Sequence, residues 1–438
     1  SNGTYTGNTT VSAGTLKLSN YNASAQYDIA SAAVLEYALS TDFNLPTVRY
    51  QGNGTWRKTG VGTLTWGTGA ATFAMGSGAL MDVRAGEVRV GDNSNEDLST
   101  NLADLNVASG ATFTFVDSRA NNANGYFAFN RLTGSGTVRG GWSGADDYLL
   151  VGADNGSSTF DGTLVNSNLS GGIFSLIKRG TGAFTLTNAQ TYTGTTTVDA
   201  GTLLLQGSGA KLAGTNGTYS GAIYVAPGAT VSVNTAQNQF WGSAITGSGT
   251  LAQHGSGTLR LFGNSSFSGQ TTVDAGTTLV IGAYDGSTGS LGGNVALAAG
   301  GLLKYNRWGT NGAGGAVTNT LSGAGQVEFL NVDQANNVNT AQNNGTVNLT
   351  LASPQFSGTV IVKPQVRLHL LNPGAFGTST IRVEDSGQLW LDNLNNGYNG
   401  AALTNTVYLA GLGWNEGVGR LGAMRIDDGA QFSGNAVL

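Results

Sequence analysis

The chain lacks cysteine altogether, has only 5 proline residues, and carries charge on only 10 % of its 438 residues. The absence of cysteine excludes a disulfide-stapled fold. Lysine and arginine total 20 and form no cluster, and the formal net charge is −5, so we expect no nucleic-acid partner. The chain has no apolar run long enough to cross a membrane as a helix, so the sequence predicts no membrane span of that kind.

Glycine is abundant instead, with 70 residues among many threonine, serine, asparagine and alanine residues. The glycines follow no strict three-residue period, which excludes collagen. Apolar residues make up 39 % of the chain and recur in short runs that disordered chains lack. The composition therefore predicts an ordered, all-β protein with many turns. Because turn residues are spread evenly and no linker interrupts them, we expect one continuous body over residues 1–438.

One short pattern, apolar–x–x–Gly–x–apolar, returns along the chain, for example at Val11–Leu16, Val83–Val88 and Val198–Leu203. A companion pattern, Gly-x-Gly-x-apolar, recurs within Leu132–Val138 and Ile245–Leu251. Most copies lie near multiples of roughly 21–25 residues, the length of one solenoid coil. Within each copy apolar residues alternate with a period of two, which is typical of strands. The sequence predicts a parallel β-solenoid of about 19 coils, each of roughly 21–25 residues.

The two longest copies, Ile177–Gly207 and Ala252–Gly282, resemble the autotransporter-associated β-strand repeat of bacterial autotransporter passengers. Ser1–Asn20 and Val48–Gly67 resemble the two halves of that unit. The resemblance implies an all-β, right-handed parallel β-helix, located outside the cell or on the bacterial surface. It implies no single activity, because such passengers include adhesins, aggregation factors, toxins and proteases.

The first and last segments of the chain, 4–11 and 431–438, have the same half-coil pattern, "TYTGNTTV" and "QFSGNAVL". Solenoids need polar caps to stay soluble, and neither segment has one. We therefore expect open ends, in a segment of a longer chain or in a subunit that stacks end to end. The residues expected to take part in stacking are Tyr5, Val11, Phe432 and Val437.

Two histidines are present. His254 occupies the repeat position that holds Arg179 and Thr59 in other copies, so we expect it to face outward. His369 alternates with Leu368 and Leu370, which predicts a solvated or stacked position on an outer face. Neither is accompanied by a G-x-S-x-G turn, so the sequence does not favour a serine hydrolase.

Three pairs of adjacent carboxylates occur, at Asp146–Asp147, Glu384–Asp385 and Asp427–Asp428. We interpret all three as turn residues. A polysaccharide-cleaving protein is the alternative, and it requires that aspartate, arginine and histidine converge on one face, with Asp146 as the first residue to test.

A calcium loop is a further, less favoured candidate at Asp92, Glu96 and Asp97, in the stretch "DNSNED". This stretch lacks the glycine and distal glutamate of an EF-hand. A solvated acidic loop is therefore the favoured interpretation.

Four tryptophans in the longer insertions, Trp142, Trp241, Trp308 and Trp414, are candidates for contact with a sugar or a partner. The alternative is that they anchor loops as buried side chains. Taken together, the sequence predicts an extracellular structural or adhesive β-solenoid, an adhesin or fibre component that associates with itself and has no catalytic residue, metal or cofactor. Cell-surface or extracellular polysaccharide is the other expected partner. The alternative is a β-helix protein that binds or cleaves carbohydrate.

Overall fold

The computed structural model describes residues 7–19, 25–45, 47–66, 72–90, 98, 100–115, 126–141, 146–168, 171–214, 216–282, 289–306, 315–330, 345–394, 397–415 and 419–438. These residues form short strands joined by turns, and none of them lies in an α-helix. A membrane-crossing helix is accordingly not found in the described residues. The all-β prediction is confirmed.

The strands of the first half of the chain are two to six residues long. They are β1 (Thr9–Val11), β2 (Gly14–Leu18), β3 (Gln26–Ile29), β4 (Ala33–Ala38), β5 (Phe43–Leu45), β6 (Arg49–Gly52), β7 (Thr55–Thr59), β8 (Thr63–Trp66), β9 (Thr72–Met75), β10 (Leu80–Val83), β11 (Glu87–Val90), β12 (Asp104–Val107), β13 (Thr112–Phe115), β14 (Tyr126–Phe129), β15 (Leu132–Gly134), β16 (Thr137–Gly140), β17 (Asp146–Val151), β18 (Ser158–Phe160), β19 (Thr163–Asn166), β20 (Ile173–Lys178), β21 (Ala183–Leu186), β22 (Ala189–Gln190), β23 (Thr196–Val198), β24 (Thr202–Gln206), β25 (Lys211–Leu212), β26 (Ile223–Val225) and β27 (Thr230–Asn234).

The strands of the second half have similar lengths. They are β28 (Gln239–Trp241), β29 (Ile245–Gly247), β30 (Thr250–Gln253), β31 (Thr258–Leu261), β32 (Gln270–Val273), β33 (Thr278–Ile281), β34 (Asn294–Leu297), β35 (Leu302–Asn306), β36 (Gly315–Val317), β37 (Thr320–Gly323), β38 (Gln326–Leu330), β39 (Gly345–Leu349), β40 (Thr359–Val362), β41 (Val366–Leu370), β42 (Thr380–Val383), β43 (Gln388–Asp392), β44 (Ala402–Leu403), β45 (Val407–Leu409), β46 (Met424–Asp427), β47 (Gln431–Phe432) and β48 (Ala436–Val437).

The chain divides into two compact units, Ser1–Val231 and Ser232–Leu438. In the first unit, strands β2, β4, β7, β10, β12, β15, β18, β21 and β24 lie side by side in that order. A second sheet has the order β19-β16-β13-β11-β8-β5, and a third begins β14-β17-β20-β23-β26. Neighbouring strands in these sheets are parallel, and each comes from a successive coil. The single continuous body expected over residues 1–438 stays a prediction.

The second unit is built in the same way. Its largest sheet has the order β28-β31-β33-β35-β38-β40-β42-β45-β48, and a five-stranded sheet has the order β36-β39-β41-β43-β46. The strand pairs are again parallel and in register. Each unit is therefore a stack of coils, and the predicted parallel β-solenoid is confirmed.

The coil count differs from the prediction. The protein forms about 13 turns rather than about 19. Many coils have the expected length, since Val83 pairs with Val107, 24 residues later. Others carry insertions between strands, and Leu389 pairs with Met424, 35 residues later. The repeat spacing gave too many coils because it applied one length of roughly 21–25 residues to every coil and left the insertions out.

The recurring glycine of the apolar–x–x–Gly pattern lies in a left-handed turn. Gly201 and Gly276 have φ of 66° and 74° there, a conformation that glycine adopts without strain. Two copies of the pattern lack this glycine, and their Gln365 and Ser386 adopt the same conformation, with φ of 64° and 67°. The stacked coils on either side therefore impose the turn even where the residue disfavours it.

A buried lysine closes the same turn region in two copies of the repeat. The ammonium of Lys178, a fully buried residue, donates to the carbonyl oxygens of Arg179 (2.7 Å), Gly180 (2.8 Å) and Ala200 (3.1 Å). Lys58 makes the equivalent three bonds in an earlier coil. In a third copy Gln253 donates from its amide to two turn carbonyls. We name this arrangement the carbonyl cage.

The interior of each unit is apolar. In the first unit Tyr50 lies 5.7 Å from Trp66 and 6.1 Å from Trp56, ring centre to ring centre. In the second unit a column of aliphatic side chains runs from coil to coil through fully buried positions: Leu259, Leu279, Leu303, Val327, Val360, Ile381 and Val407. Each buried aliphatic side chain contributes about 1.5–3 kcal/mol, so the stacking of coils is what stabilises strands this short.

Candidate functional site

The outer face of the five-stranded sheet in the second unit concentrates ionisable and aromatic side chains. Successive residues of a strand point to opposite faces, and the parallel register places Asn348, His369, Trp390 and Arg425 side by side on four neighbouring strands. Leu368 and Leu389, which alternate with them, are fully buried. Four different coils therefore contribute one side chain each to a single outer column.

Trp390 is the centre of this column. Its ring stacks on His369 with ring centres 3.8 Å apart and planes 9° from parallel. Its indole Nε1–H donates to Oδ2 of Asp427 at 2.9 Å, and the guanidinium carbon of Arg425 lies 5.0 Å from the ring centre. Arg425 Nε is in turn 2.6 Å from Asp427 Oδ2. These contacts fix the indole plane while the residue stays half-exposed.

Below Trp390, His369 and Asp392 form a nearly buried pair, with 9 % and 4 % of their side chains exposed. His369 Nε2 lies 2.9 Å from Asp392 Oδ2, and its Nδ1 lies 3.0 Å from Asn348 Oδ1. Burial lowers the pKa of His369 below its ordinary value of 6.5, although Asp392 acts in the opposite direction. In its neutral form the ring can donate to only one of the two oxygens.

The turn after β46 places a further carboxyl group at the edge of the site. Asp428 is exposed and has a φ of 53°. A hydrogen bond with Asp392 raises the pKa of Asp428 above its ordinary value, because a carboxyl group must hold a proton to bond to another carboxyl group. Asp428 is therefore an exposed carboxyl group that is hydrogen-bonded to the buried Asp392 of the Asp392–His369 pair.

Arg367 lies between two indoles. Its guanidinium carbon is 4.6 Å from the ring centre of Trp390 and 5.5 Å from that of Trp414, and its Nε donates to Thr346 Oγ1 at 3.1 Å. Planar stacking of this kind orients a guanidinium group. We use the name Trp390 cluster for Arg367, His369, Trp390, Asp392, Arg425 and Asp427.

The structure resolves the predictions made for the histidines. His254 is exposed, as expected, and its Nδ1 lies 2.6 Å from Asp274 Oδ2. His369 is only 7 % exposed, so the stacked position is confirmed and the solvated one is wrong. The reason is that Trp390, one coil later, covers the imidazole ring.

The carboxylate pairs differ from one another. Glu384–Asp385 lies in the turn after β42, as predicted. Asp427 ends β46 and only Asp428 lies in the turn. The turn prediction for Asp146–Asp147 is wrong, because both residues belong to β17. The apolar residues Tyr148–Val151 that follow them continue a strand that begins at Asp146. Convergence of aspartate, arginine and histidine does occur, at the Trp390 cluster.

The tryptophans chosen from the sequence lie elsewhere. Trp241 and Trp414 are buried, with 1 % and 3 % exposure. Trp142 and Trp308 lie outside the described residues, as do Asp92, Glu96 and Asp97 of the candidate calcium loop. Contact with a sugar and binding of calcium at these positions stay predictions.

Of the four residues expected at stacking ends, Tyr5 lies outside the described residues, Val11 is buried, and Phe432 and Val437 are half-buried. End-to-end stacking through these residues stays a prediction. Within the described residues no group of three or more metal-ligating side chains has the arrangement that could hold a metal ion.

Sequence reasoning missed Trp390, Arg367 and Arg425. The alternation in "VRLHL", "QLWLD" and "MRID" marks each of them as an outward residue, but only the register between distant coils brings them together. The sequence of each strand shows which of its side chains point outward, but it does not show which outward side chains of other strands lie beside them.

The comparisons with known proteins agree with the fold. The passenger-associated-transport-repeat matches residues 1–18, 176–205 and 251–281. No curated protein matches the chain significantly. Each matched segment overlaps one of the copies described from the sequence, which are Ser1–Asn20, Ile177–Gly207 and Ala252–Gly282. Two of the segments include the carbonyl cages of Lys178 and Gln253. These three matches and the parallel β-solenoid fold are similar to, and fit, an autotransporter-passenger β-helix repeat family.

Proposed function

We propose that the protein is a structural, adhesive component of the bacterial surface or extracellular matrix, which acts by associating with copies of itself and has no catalytic role. The passenger-associated repeat supports this proposal, because it implies a secreted or surface-exposed protein in general. The surface of the coils provides the second line of support.

One outer column of the largest sheet in the second unit carries the proposal. It holds uncharged residues on six successive strands, which are Thr258, Thr278, Leu302, Gln326, Thr359 and Thr380. Parallel strands repeat at about 4.8 Å. A second copy aligned along this column would meet the same groups at every coil, without repulsion between like charges.

A charged outer column of the first unit is neutralised by pairs within the chain. In the first unit Lys17 lies 3.2 Å from Glu36, and Arg57 lies 2.9 Å from Asp82, on successive strands. Cations and anions that alternate in this way leave little net charge on the face, so two copies can approach each other closely.

The experiment compares purified protein with a variant in which the uncharged column carries two negative charges. Thr278→Glu combined with Thr380→Glu should lower the sedimentation coefficient of the associated species and abolish clumping of cells that display the protein. The matched control is Thr278→Ser with Thr380→Ser, which keeps the hydroxyl groups. Self-association is refuted if the wild-type protein remains monomeric at high concentration and its display causes no clumping.

A further inference from the structure

The Trp390 cluster has a composition that the rest of the outer surface does not require. Elsewhere in the described part of the second unit, ion pairs on the outer surface join single residues of neighbouring coils, such as Lys304–Glu328 (3.3 Å) and Lys363–Glu384 (2.7 Å). In the Trp390 cluster two arginines, two aspartates and a histidine surround one indole, in a chain with only 10 % charged residues. Stacking of coils alone does not need this concentration of groups.

The side chains of the cluster are held in place by contacts with one another before any ligand binds. The indole of Trp390 is held by a stacked ring, by a hydrogen bond to Asp427 and by Arg425. Asp392 is held from below by His369 and by the backbone N–H of Leu394 at 2.9 Å. A site whose side chains are already ordered loses little conformational entropy when it binds a ligand.

The groups that reach solvent are both donors and acceptors. The side chains of Arg425 and Asp427 are each 29 % exposed, Trp390 is half-exposed, and Asp428 is exposed beside them. A hydroxyl group can donate to a carboxylate and accept from a guanidinium at the same time. The exposed part of an indole offers apolar contact to the C–H groups of a sugar ring.

The charge of the cluster decides the class of ligand. The two arginines lie beside the carboxylates of Asp392 and Asp427, and the exposed Asp428 adds a third carboxyl group, so the site has no excess of positive charge that would attract an anion. A phosphate or a carboxylate ligand at Arg425 would lie against the carboxylate of Asp427, which is already paired with that arginine. A neutral polyhydroxyl ligand keeps that pair intact and bonds to both partners.

We propose that the Trp390 cluster is a binding site for a neutral saccharide, contacted by Trp390, Arg425, Asp427 and Asp428 and positioned from below by His369 and Asp392. This binding function goes beyond the proposed self-association, because it requires neither a second copy nor the uncharged column on the neighbouring sheet.

The test uses the whole chain and calorimetric titration with named hexasaccharides. Cellohexaose, mannohexaose and chitohexaose are the neutral probes, and hexagalacturonate is the acidic one. At least one neutral probe should bind and quench tryptophan fluorescence, and hexagalacturonate should bind at least ten-fold more weakly. Trp390→Ala should weaken binding at least ten-fold. Trp390→Phe, which keeps an aromatic ring but loses the bond to Asp427, serves if the alanine variant does not fold.

The matched control is Tyr408→Ala. Tyr408 is an exposed aromatic residue on the neighbouring sheet, with the guanidinium carbon of Arg382 at 4.9 Å from its ring centre and no carboxylate in that contact. Its replacement should leave saccharide binding unchanged. The proposal is overturned if no neutral probe binds, if hexagalacturonate binds more tightly than every neutral probe, or if Tyr408→Ala weakens binding as much as Trp390→Ala.

Discussion

Replacement of Lys178 tests whether the carbonyl cage stabilises the coil. The ammonium makes three hydrogen bonds, to the carbonyl oxygens of Arg179, Gly180 and Ala200. No backbone N–H of the described residues donates to these three oxygens. Lys178→Met keeps the length and apolar stem of the side chain but leaves all three carbonyl groups without a partner.

The expected loss follows from two opposing effects. Three hydrogen bonds from a charged donor contribute about 1.5–3 kcal/mol each. Against this, burial lowers the pKa of Lys178 to about 8. Relative to its ordinary value of 10.5, this corresponds to about 3 kcal/mol of desolvation, which the methionine does not incur. The methionine in turn leaves three buried carbonyl groups without a partner, at a cost of about 1–3 kcal/mol each, so we expect Lys178→Met to lower the free energy of unfolding by roughly 2–5 kcal/mol.

The chain supplies its own control for this substitution. Gln253 occupies the same repeat position in another coil, and its Nε2 donates to Gly255 O at 3.0 Å and to Gly257 O at 2.6 Å. Its Oε1 has no hydrogen-bond partner, so glutamine satisfies the cage only in part. Lys178→Gln should therefore destabilise the protein by at least ~1 kcal/mol less than Lys178→Met does.

Hydrogen exchange of the amides in residues 173–206 reports the free energy of opening this coil without assuming that the whole chain unfolds in one step. Urea denaturation followed by circular dichroism provides a second measurement. A methionine variant as stable as the wild type, or more stable than the glutamine variant, would falsify the reasoning, because it would mean that desolvation of the ammonium outweighs its three bonds.

The same lysine predicts a pH dependence. Its pKa is lower in the folded chain than in the unfolded chain, so between about pH 8 and about pH 10.5 the unfolded chain binds more protons. Raising the pH through this window should therefore stabilise the wild-type protein. Lys178→Met should reduce the slope of unfolding free energy against pH, and an unchanged slope contradicts the assignment.

Three further predictions concern other positions. Asp82→Ala removes the buried acceptor of Arg57 and should lower the free energy of unfolding by about 2–3 kcal/mol in urea denaturation; no change would mean that the outer charge columns contribute nothing. The pKa of His369 is lower in the folded chain than in the unfolded chain, where it has its ordinary value of 6.5. As the pH drops below 6.5 the unfolded chain therefore binds more protons than the folded chain, and the free energy of unfolding should fall. His369→Phe should remove this dependence while it keeps a ring stacked on the indole of Trp390. Gln365→Gly should stabilise the protein by about 0.5–1 kcal/mol, because glycine adopts the left-handed turn without strain. Gly276→Gln should destabilise it by about 1–2 kcal/mol for the same reason. Melting temperatures that change in the same direction in both variants would contradict this.

The repeat pattern predicted the fold because the two requirements of a coil are local. Alternation of apolar residues predicts strands, and glycine at a fixed position predicts the left-handed turn that Gly201 adopts. Gln365 and Ser386 show the limit of this reasoning, since they adopt the same turn without the favoured residue. The coil count was too high for the related reason that insertions do not disturb the local pattern of the strands around them.

The Trp390 cluster could be predicted only in fragments. The sequence pattern points to His369 and to the pair Asp427–Asp428 but not to Trp390, because an outward tryptophan in one strand has no distinctive local pattern. Trp414 is a candidate for surface contact in the sequence, but in the structure it is buried beside Arg367. Exposure of a side chain on an insertion depends on how the insertion packs, which the pattern of the insertion does not encode.

The sequence by itself determined that this protein is a stack of β-coils with an apolar interior and polar outer faces, because strand alternation and turn glycines act within a few residues of each other. Only the tertiary structure decided which outer side chains meet. His369, Trp390 and Arg425 are 21 and 35 residues apart along the chain and adjacent in space. Parallel register turns these separations into neighbouring positions, and the lengths of the intervening insertions, which set that register, cannot be read from any one coil.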